Sequence, residues 1–128
     1  MSRVRSRDTT PEMALRSVVH RMGFRFSVHD PALPGKPDIV LRRYRKIIFV
    51  HGCFWHGHIG CGRSKRPASN SDFWNAKLSE NVKRDHRDIL SIRQAGYEVL
   101  VVWECELKNE ASLLRKLSHF LPKIGRRR

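Results

Sequence analysis

An apolar run, Lys46-Ile-Ile-Phe-Val-His51, leads without a break into a His/Cys-rich stretch, His51 to Cys61 (HGCFWHGHIGC). The first reads as a short strand buried on both faces. The second packs three histidines, two cysteines and two adjacent bulky aromatics into eleven residues. Packing alone is a poor explanation for so many ligand atoms, and the loop is too polar and Gly-rich to fold itself. A chain of this kind therefore needs a strand that ends in a loop stapled from outside, and a metal is the natural staple.

The remaining elements follow from periodicity. Thr10-Pro11-Glu12 predicts a helix start, with a threonine cap, proline at the first helical position and an acid in the first turn. Leu15, Val18, Val19 and Met22 continue at helical spacing until Gly23. Phe24, Phe26 and Val28 alternate with polar residues and predict a strand. His29 to Pro37 holds three prolines and a glycine, so it is a loop; Asp38 to Leu41 is a short strand and Arg42 to Arg45 a basic turn. After the His/Cys loop, which runs to about Ser71, a long helix is expected from Asp72 to Ala95, with Phe73, Leu78, Val82, Ile89 and Ile92 on or near its inner face. Tyr97 to Trp103 is a core strand. Asn109 caps a last helix carrying Leu113, Leu114, Leu117, Phe120 and Leu121, and a basic tail follows. The order is αβββαβα: an α/β chain of one domain, with residues 1–9 as a flexible basic amino terminus and no internal repeat.

Charge narrows the function. Lys and Arg exceed Asp and Glu by 26 to 12 among 128 residues, a net +14, with a pI near 10.9. Such an excess on a small domain suits a polyanion, and nucleic acid is the usual one. No apolar run approaches the ~20 residues of a spanning helix, and no signal peptide opens the chain, so the expected compartment is the cytoplasm. There, cysteines are free or bind metal. Three cysteines cannot all pair; a disulfide from Cys105 to Cys53 or Cys61 would strand the third.

Two constellations carry the chemistry. Asp38 opens a strand at a sheet edge, where its carboxylate can face solvent and hold a hard cation such as Mg²⁺. A second oxygen is expected from the backbone carbonyl at or near Val50 on the next strand. His51 ends that strand beside Asp38, and His56 lies five residues on; either can move a proton near neutral pH. The second set is Cys53, His58, Cys61 and Cys105, four ligands for a closed tetrahedral zinc of structural type. His56 competes with His58 as ligand. Phe54-Trp55 and Phe73-Trp74 offer rings that can stack on bases, although Phe73 also suits the core. Asp85 and Asp88 read as solvated ion pairs on the long helix, with Asp85 able to orient a histidine. Glu104 suits a salt bridge or an acidic ligand. The basic segments Arg42–Lys46, Arg63–Arg66 and Arg126–Arg128 suit phosphate contacts.

Five segments, MSRVRSRDTTPEMALR, FRFSVHDPALPGKPDIVL, IIFVHGCFWHGHIGC, FWNAKLSENVKRDHRDI and GYEVLVVWEC, resemble the very-short-patch-repair (Vsr) DNA mismatch endonucleases, and together they span nearly the whole chain through Cys105. The resemblance implies a restriction-endonuclease-like core with a structural zinc loop. It implies a Mg²⁺-dependent nick of one strand, 5′ of the thymine in T·G mismatches left by deamination of 5-methylcytosine. By the same resemblance Asp38 holds Mg²⁺ with the carbonyl of Val50, and Glu12 assists through metal-bound water. His51 and His56 act around the scissile phosphate, Asp85 supports His56, and Cys53, His58, Cys61 and Cys105 bind zinc. Phe54, Trp55 and Trp74 form an aromatic wedge entering DNA. The implied partners are mismatched double-stranded DNA and other repair proteins, with no membrane, and one nick needs only a monomer. A general nuclease of the same fold and a non-catalytic zinc-containing nucleic-acid-binding module are the rival readings.

Three departures bear on these expectations. Val50 stands where some relatives have threonine, which leaves only a backbone role. The His58–Cys61 spacing is a residue longer than in a His-rich version of the motif. The chain opens near the family's MSR segment, without the longer upstream arm of relatives; if that arm clasps DNA, the expectation is either a weaker grip or a shortened sequence.

Overall fold

The computed structural model describes residues 10–28, 30–53, 58 and 71–123. In chain order the elements are α1 (Thr10–Arg21), β1 (Ile39–Leu41), β2 (Lys46–His51), α2 (Ser71–Gln94), β3 (Glu98–Trp103) and α3 (Glu110–Phe120). Short 3₁₀ turns at Arg42–Tyr44 and Glu104–Lys108 complete the set. The strands form one mixed sheet in the order β1-β2-β3, with β1 antiparallel and β3 parallel to β2.

Side-chain alternation along each strand sorts the core into two faces. Ile39, Leu41, Ile48 and Val102 bury with Leu15, Val18 and Val19 of α1 and with Leu113 and Leu117 of α3. Val40, Ile47 and Phe49 bury on the other side with Ile92 of α2, and Ile89, Val99 and Val101 pack against them. The sheet is thus covered by α1 and α3 on one face and by α2 on the other. This explains why β2 is apolar throughout: both its faces are covered. Asn109 caps α3 as expected, its side chain accepting the Ser112 N–H at 3.1 Å.

Two expectations change. Phe24 to Val28 does not form a strand; among its residues Ser27 alone pairs, exchanging two 2.9 Å hydrogen bonds with Val40. β1 is only three residues long, and Pro31 soon follows. The segment therefore touches the sheet edge at one point, while Phe24 and Phe26 pack into the core under α1 and α3. The order among the described residues is α-β-β-α-β-α, with this bridge where the first strand was expected. Phe73 is not on the inner face of α2 but 58% exposed, edge-on to Trp74 at 5.1 Å. It lies in the first turn of α2, a full turn before Leu78, the first buried residue of that helix.

A candidate active site at the carboxyl ends of the parallel strands

β2 and β3 run parallel and end together, with His51 paired to Trp103. β1 runs the other way, so its first residue lies at that same end of the sheet. Asp38, just before β1, is thereby delivered to the carboxyl ends of β2 and β3, where α/β sheets commonly place ligands. A sharp turn makes the delivery: Gly35 (φ +77°) and Lys36 (φ +51°) are both left-handed, and Pro37 is fully buried. The turn lies so close to α2 that a Cβ on Gly35 would sit 3.1 Å from the Asp88 carboxylate. Asp30 secures the loop start, accepting the Ala32 N–H at 3.0 Å and pairing with Arg42.

A cavity of about 180 Å³ opens at this point. Glu12 lines it from α1, Gly35, Lys36 and Asp38 from the turn, Phe49, Val50 and His51 from β2, and Asp85, Asp88 and Ile89 from α2. Four carboxylates thus meet in a chain with only 12 acids and a net charge of +14. Lys36 and His51 are the basic side chains in the lining. The family resemblance implied Asp38, His51, Glu12 and Asp85 in one site, and all four line this cavity.

Asp38 is buried rather than solvent-facing. The edge position is covered by the Gly35–Pro37 turn on one side and by α1 and α2 on the others. Its Oδ2 accepts the Val50 N–H at 2.6 Å. Burial pushes the Asp38 carboxyl from its ordinary 3.8 up to about 7. The Val50 N–H opposes that rise, the charge and hydrogen bond of Glu12 add to it, and Arg16 opposes it. Asp88 is also pushed upward, by burial and then by Asp85 beside it. Asp88 also feels Arg87 and Arg84, as its sequence neighbourhood suggested, and both Asp85 and Asp88 line the cavity from α2.

Arg16 is the residue that sequence reasoning missed. It is buried one helical turn after Glu12. Its Nε donates to the Asp38 carbonyl at 3.2 Å and its Nη2 lies 3.6 Å from Glu12 Oε1. One side chain thus braces both acids. The available signal was a single arginine at i+4 from Glu12, on the side of α1 that carries Leu15 and Val19.

The four carboxylates suit a hard divalent cation: they are oxygen donors, and two of them touch. A second site lies beyond the end of β2. Cys53, His58 and Cys105 bring one ligand atom each within 4.8 Å of one another. Ligands about 2.0–2.3 Å from a tetrahedral zinc lie roughly 3.3–3.8 Å apart, and the Cys105 Sγ to His58 Nδ1 distance is 3.6 Å. Cys53 and Cys105 are not joined to each other by a disulfide. The His58 backbone N–H donates to the Cys53 carbonyl at 3.0 Å. Phe54, Trp55, His56 and Cys61 lie outside the described residues, as do Arg63–Arg66 and Arg126–Arg128. Trp74 is half-buried in the first turn of α2. Glu104 begins the 3₁₀ turn that holds Cys105. In the basic turn, Arg42 pairs with Asp30, Lys46 pairs with Glu98, and Arg43 and Arg45 lie over the rings of Tyr44 and Tyr97. No described helix is long and apolar enough to cross a membrane.

Comparison with known proteins identifies the family. Residues 1–62 match the family model described as DNA mismatch endonuclease Vsr. The type II nicking enzyme V.XorIIP of Xanthomonas oryzae pv. oryzae is 46% identical over 94% of this chain and 88% of its own length. The type II nicking enzyme V.NmeAIP of Neisseria meningitidis is 41% identical over 97% of this chain and 88% of its own. The DNA mismatch endonuclease Vsr of Escherichia coli is 45% identical over 88% of this chain and 72% of its own. With acids converging beside a strand-end histidine and a thiol-imidazole cluster next to them, this chain belongs to the Vsr family of DNA mismatch endonucleases.

Proposed function

We propose that the protein is a Mg²⁺-dependent endonuclease that nicks duplex DNA on the 5′ side of the thymine in a T·G mismatch, the product of 5-methylcytosine deamination. The observation that carries the reading is the acid-lined cavity holding Asp38 beside His51 in a strongly basic chain. Basic surface draws in the phosphate backbone, while the acids reserve one point on it for a cation. Its relatives are named as a DNA mismatch endonuclease and as nicking enzymes, which supports strand cleavage as the chemistry.

In this reading Asp38 holds the Mg²⁺ with the backbone carbonyl of Val50, and Glu12 assists through metal-bound water, with Asp85 nearby. When bound, the ion neutralises charge on the scissile phosphate and acidifies water. The Val50 amide fixes one Asp38 oxygen, and Arg16 fixes the Asp38 carbonyl and Glu12. His51 and His56 move protons at the attacking and leaving oxygens, and Asp85 orients His56. Cys53, His58, Cys61 and Cys105 hold a structural zinc. Phe54, Trp55 and Trp74 wedge into the stack beside the mismatch, a device that trades unstacking energy for contact. The architecture is a restriction-endonuclease-like core in one domain, acting as a monomer in the cytoplasm with other repair proteins downstream.

The test is cleavage of an end-labelled duplex carrying one T·G mismatch, with Mg²⁺ or with EDTA, beside its T·A control. One Mg²⁺-dependent cut next to the mismatched T is expected. Equal cutting of both duplexes would leave a general nuclease. Salt-sensitive binding with no Mg²⁺-dependent product would leave a non-catalytic binding module.

A further inference from the structure

We propose that Trp103 is a positioning residue that ties the Cys53–His58–Cys105 cluster to the His51 imidazole in the cavity. The inference rests on the metal reading of the cluster and on the nuclease reading of the cavity. It concerns how the two communicate.

The parallel register makes His51 and Trp103 neighbours at the ends of β2 and β3. The Trp103 ring meets His51 edge to face, with centroids 5.3 Å apart and planes at 77°. The same ring lies flat on His58, at 4.1 Å and 8°. One indole therefore touches a histidine of each site. On the His51 side Phe49 also packs against the imidazole, at 5.5 Å, and His51 is buried.

The backbone that carries Trp103 is held from two directions. Its N–H donates to Glu106 Oε1 at 2.7 Å, and the Glu106 carboxylate takes Lys116 Nζ of α3 at 2.8 and 2.9 Å. Cys105 lies within this clamped segment, 3.6 Å from His58 Nδ1. His58 is thus gripped by the Cys105 thiol at its ring edge and by Trp103 on its face. An imidazole that ligates a cation becomes electron-poor, and its stacking on an electron-rich indole strengthens. An edge-to-face contact in turn restricts the partner ring's plane. Filling the cluster thereby fixes Trp103, and Trp103 fixes the plane in which His51 faces the cavity. The zinc loop then acts on the rate of the chemical step as well as on folding.

The test compares wild-type, Trp103→Phe and Trp103→Leu full-length chains. Zinc content is read by native mass spectrometry, and nicking kinetics on a duplex that the wild type cuts. All three chains are expected to carry the same zinc. Trp103→Leu loses the ring and should drop kcat about 10–100-fold, the scale of a misplaced catalytic group, with KM unchanged. Trp103→Phe keeps a ring and should recover most of kcat. Wild-type kcat in Trp103→Leu would overturn the proposal. So would zinc loss in step with activity, which would make Trp103 a wall of the metal site only, or equal damage in both variants. A wild-type chain without zinc would remove the cluster reading, and one that cuts nothing would remove the nuclease reading. Either would take the coupling with it, and each is read before the variants are compared.

Discussion

Asp38→Asn should make the metal-free protein more stable while abolishing nicking. The Asp38 carboxyl has its affinity for a proton raised from 3.8 to about 7 in the fold. Between those values the folded protein keeps a proton that the unfolded chain has released. Folding therefore takes up a proton in this window. The stability linked to Asp38 is full below about pH 4, falls as pH rises toward 7, and is flat above. Three powers of ten in acidity, at about 1.4 kcal/mol each, amount to roughly 4 kcal/mol lost by pH 8. Asparagine mimics the protonated acid: its oxygen can accept the Val50 N–H, and its amide can donate to Glu12. Urea denaturation in EDTA from pH 4 to 8.5 provides the assay. The variant should gain on the order of 2–4 kcal/mol over wild type at pH 8 and show little difference near pH 4. Mg²⁺ should stabilise the wild type alone, since only a charged acid attracts it. A variant less stable than wild type at pH 8, or the same difference at every pH, would refute the reasoning.

Other perturbations follow from the same geometry. Arg16→Met removes the cation beside Glu12 and the donor to the Asp38 carbonyl; the Mg²⁺ needed for half-maximal nicking should rise about 10–100-fold, as for other outer-shell losses, and an unchanged requirement would remove Arg16 from the site. Gly35→Ala puts a methyl 3.1 Å from Asp88 in a left-handed turn at φ +77°; a cost of about 1–3 kcal/mol is expected, and an unshifted denaturation midpoint would contradict the close approach. Cys105→Ser should lower both zinc content and the denaturation midpoint, because ligand binding there is folding energy; retained zinc at wild-type stoichiometry would exclude Cys105 as a ligand.

Much of the architecture was legible in the residues. The periods of α1, α2 and α3, the apolar run of β2 and the Asn109 cap are local signals, and each element forms within a residue or two of its expected bounds. The segment at Phe24 misled for a tertiary reason: alternation announces a strand, but pairing needs a partner long enough to meet it, and β1 is three residues long. Phe73 misled because helical phase at the first turn does not say whether anything lies opposite.

The candidate site divides along the same line. The His/Cys loop announced itself, since ligand atoms crowded into eleven residues are visible without a fold. Asp38 and His51 could be placed together because adjacent strands carry them. What only the tertiary structure decided is the environment. Asp38 is buried because the Gly35 turn closes over it, and Asp88 faces that turn from α2, 53 residues along the chain. Arg16 crosses from α1 to brace two acids, and Trp103 lies against two histidines seven residues apart. Sequence determines the kinds of groups and the local shape that presents them. Burial, shared charge and ring contacts depend on which distant segments the sheet register brings together, and so they belong to the fold.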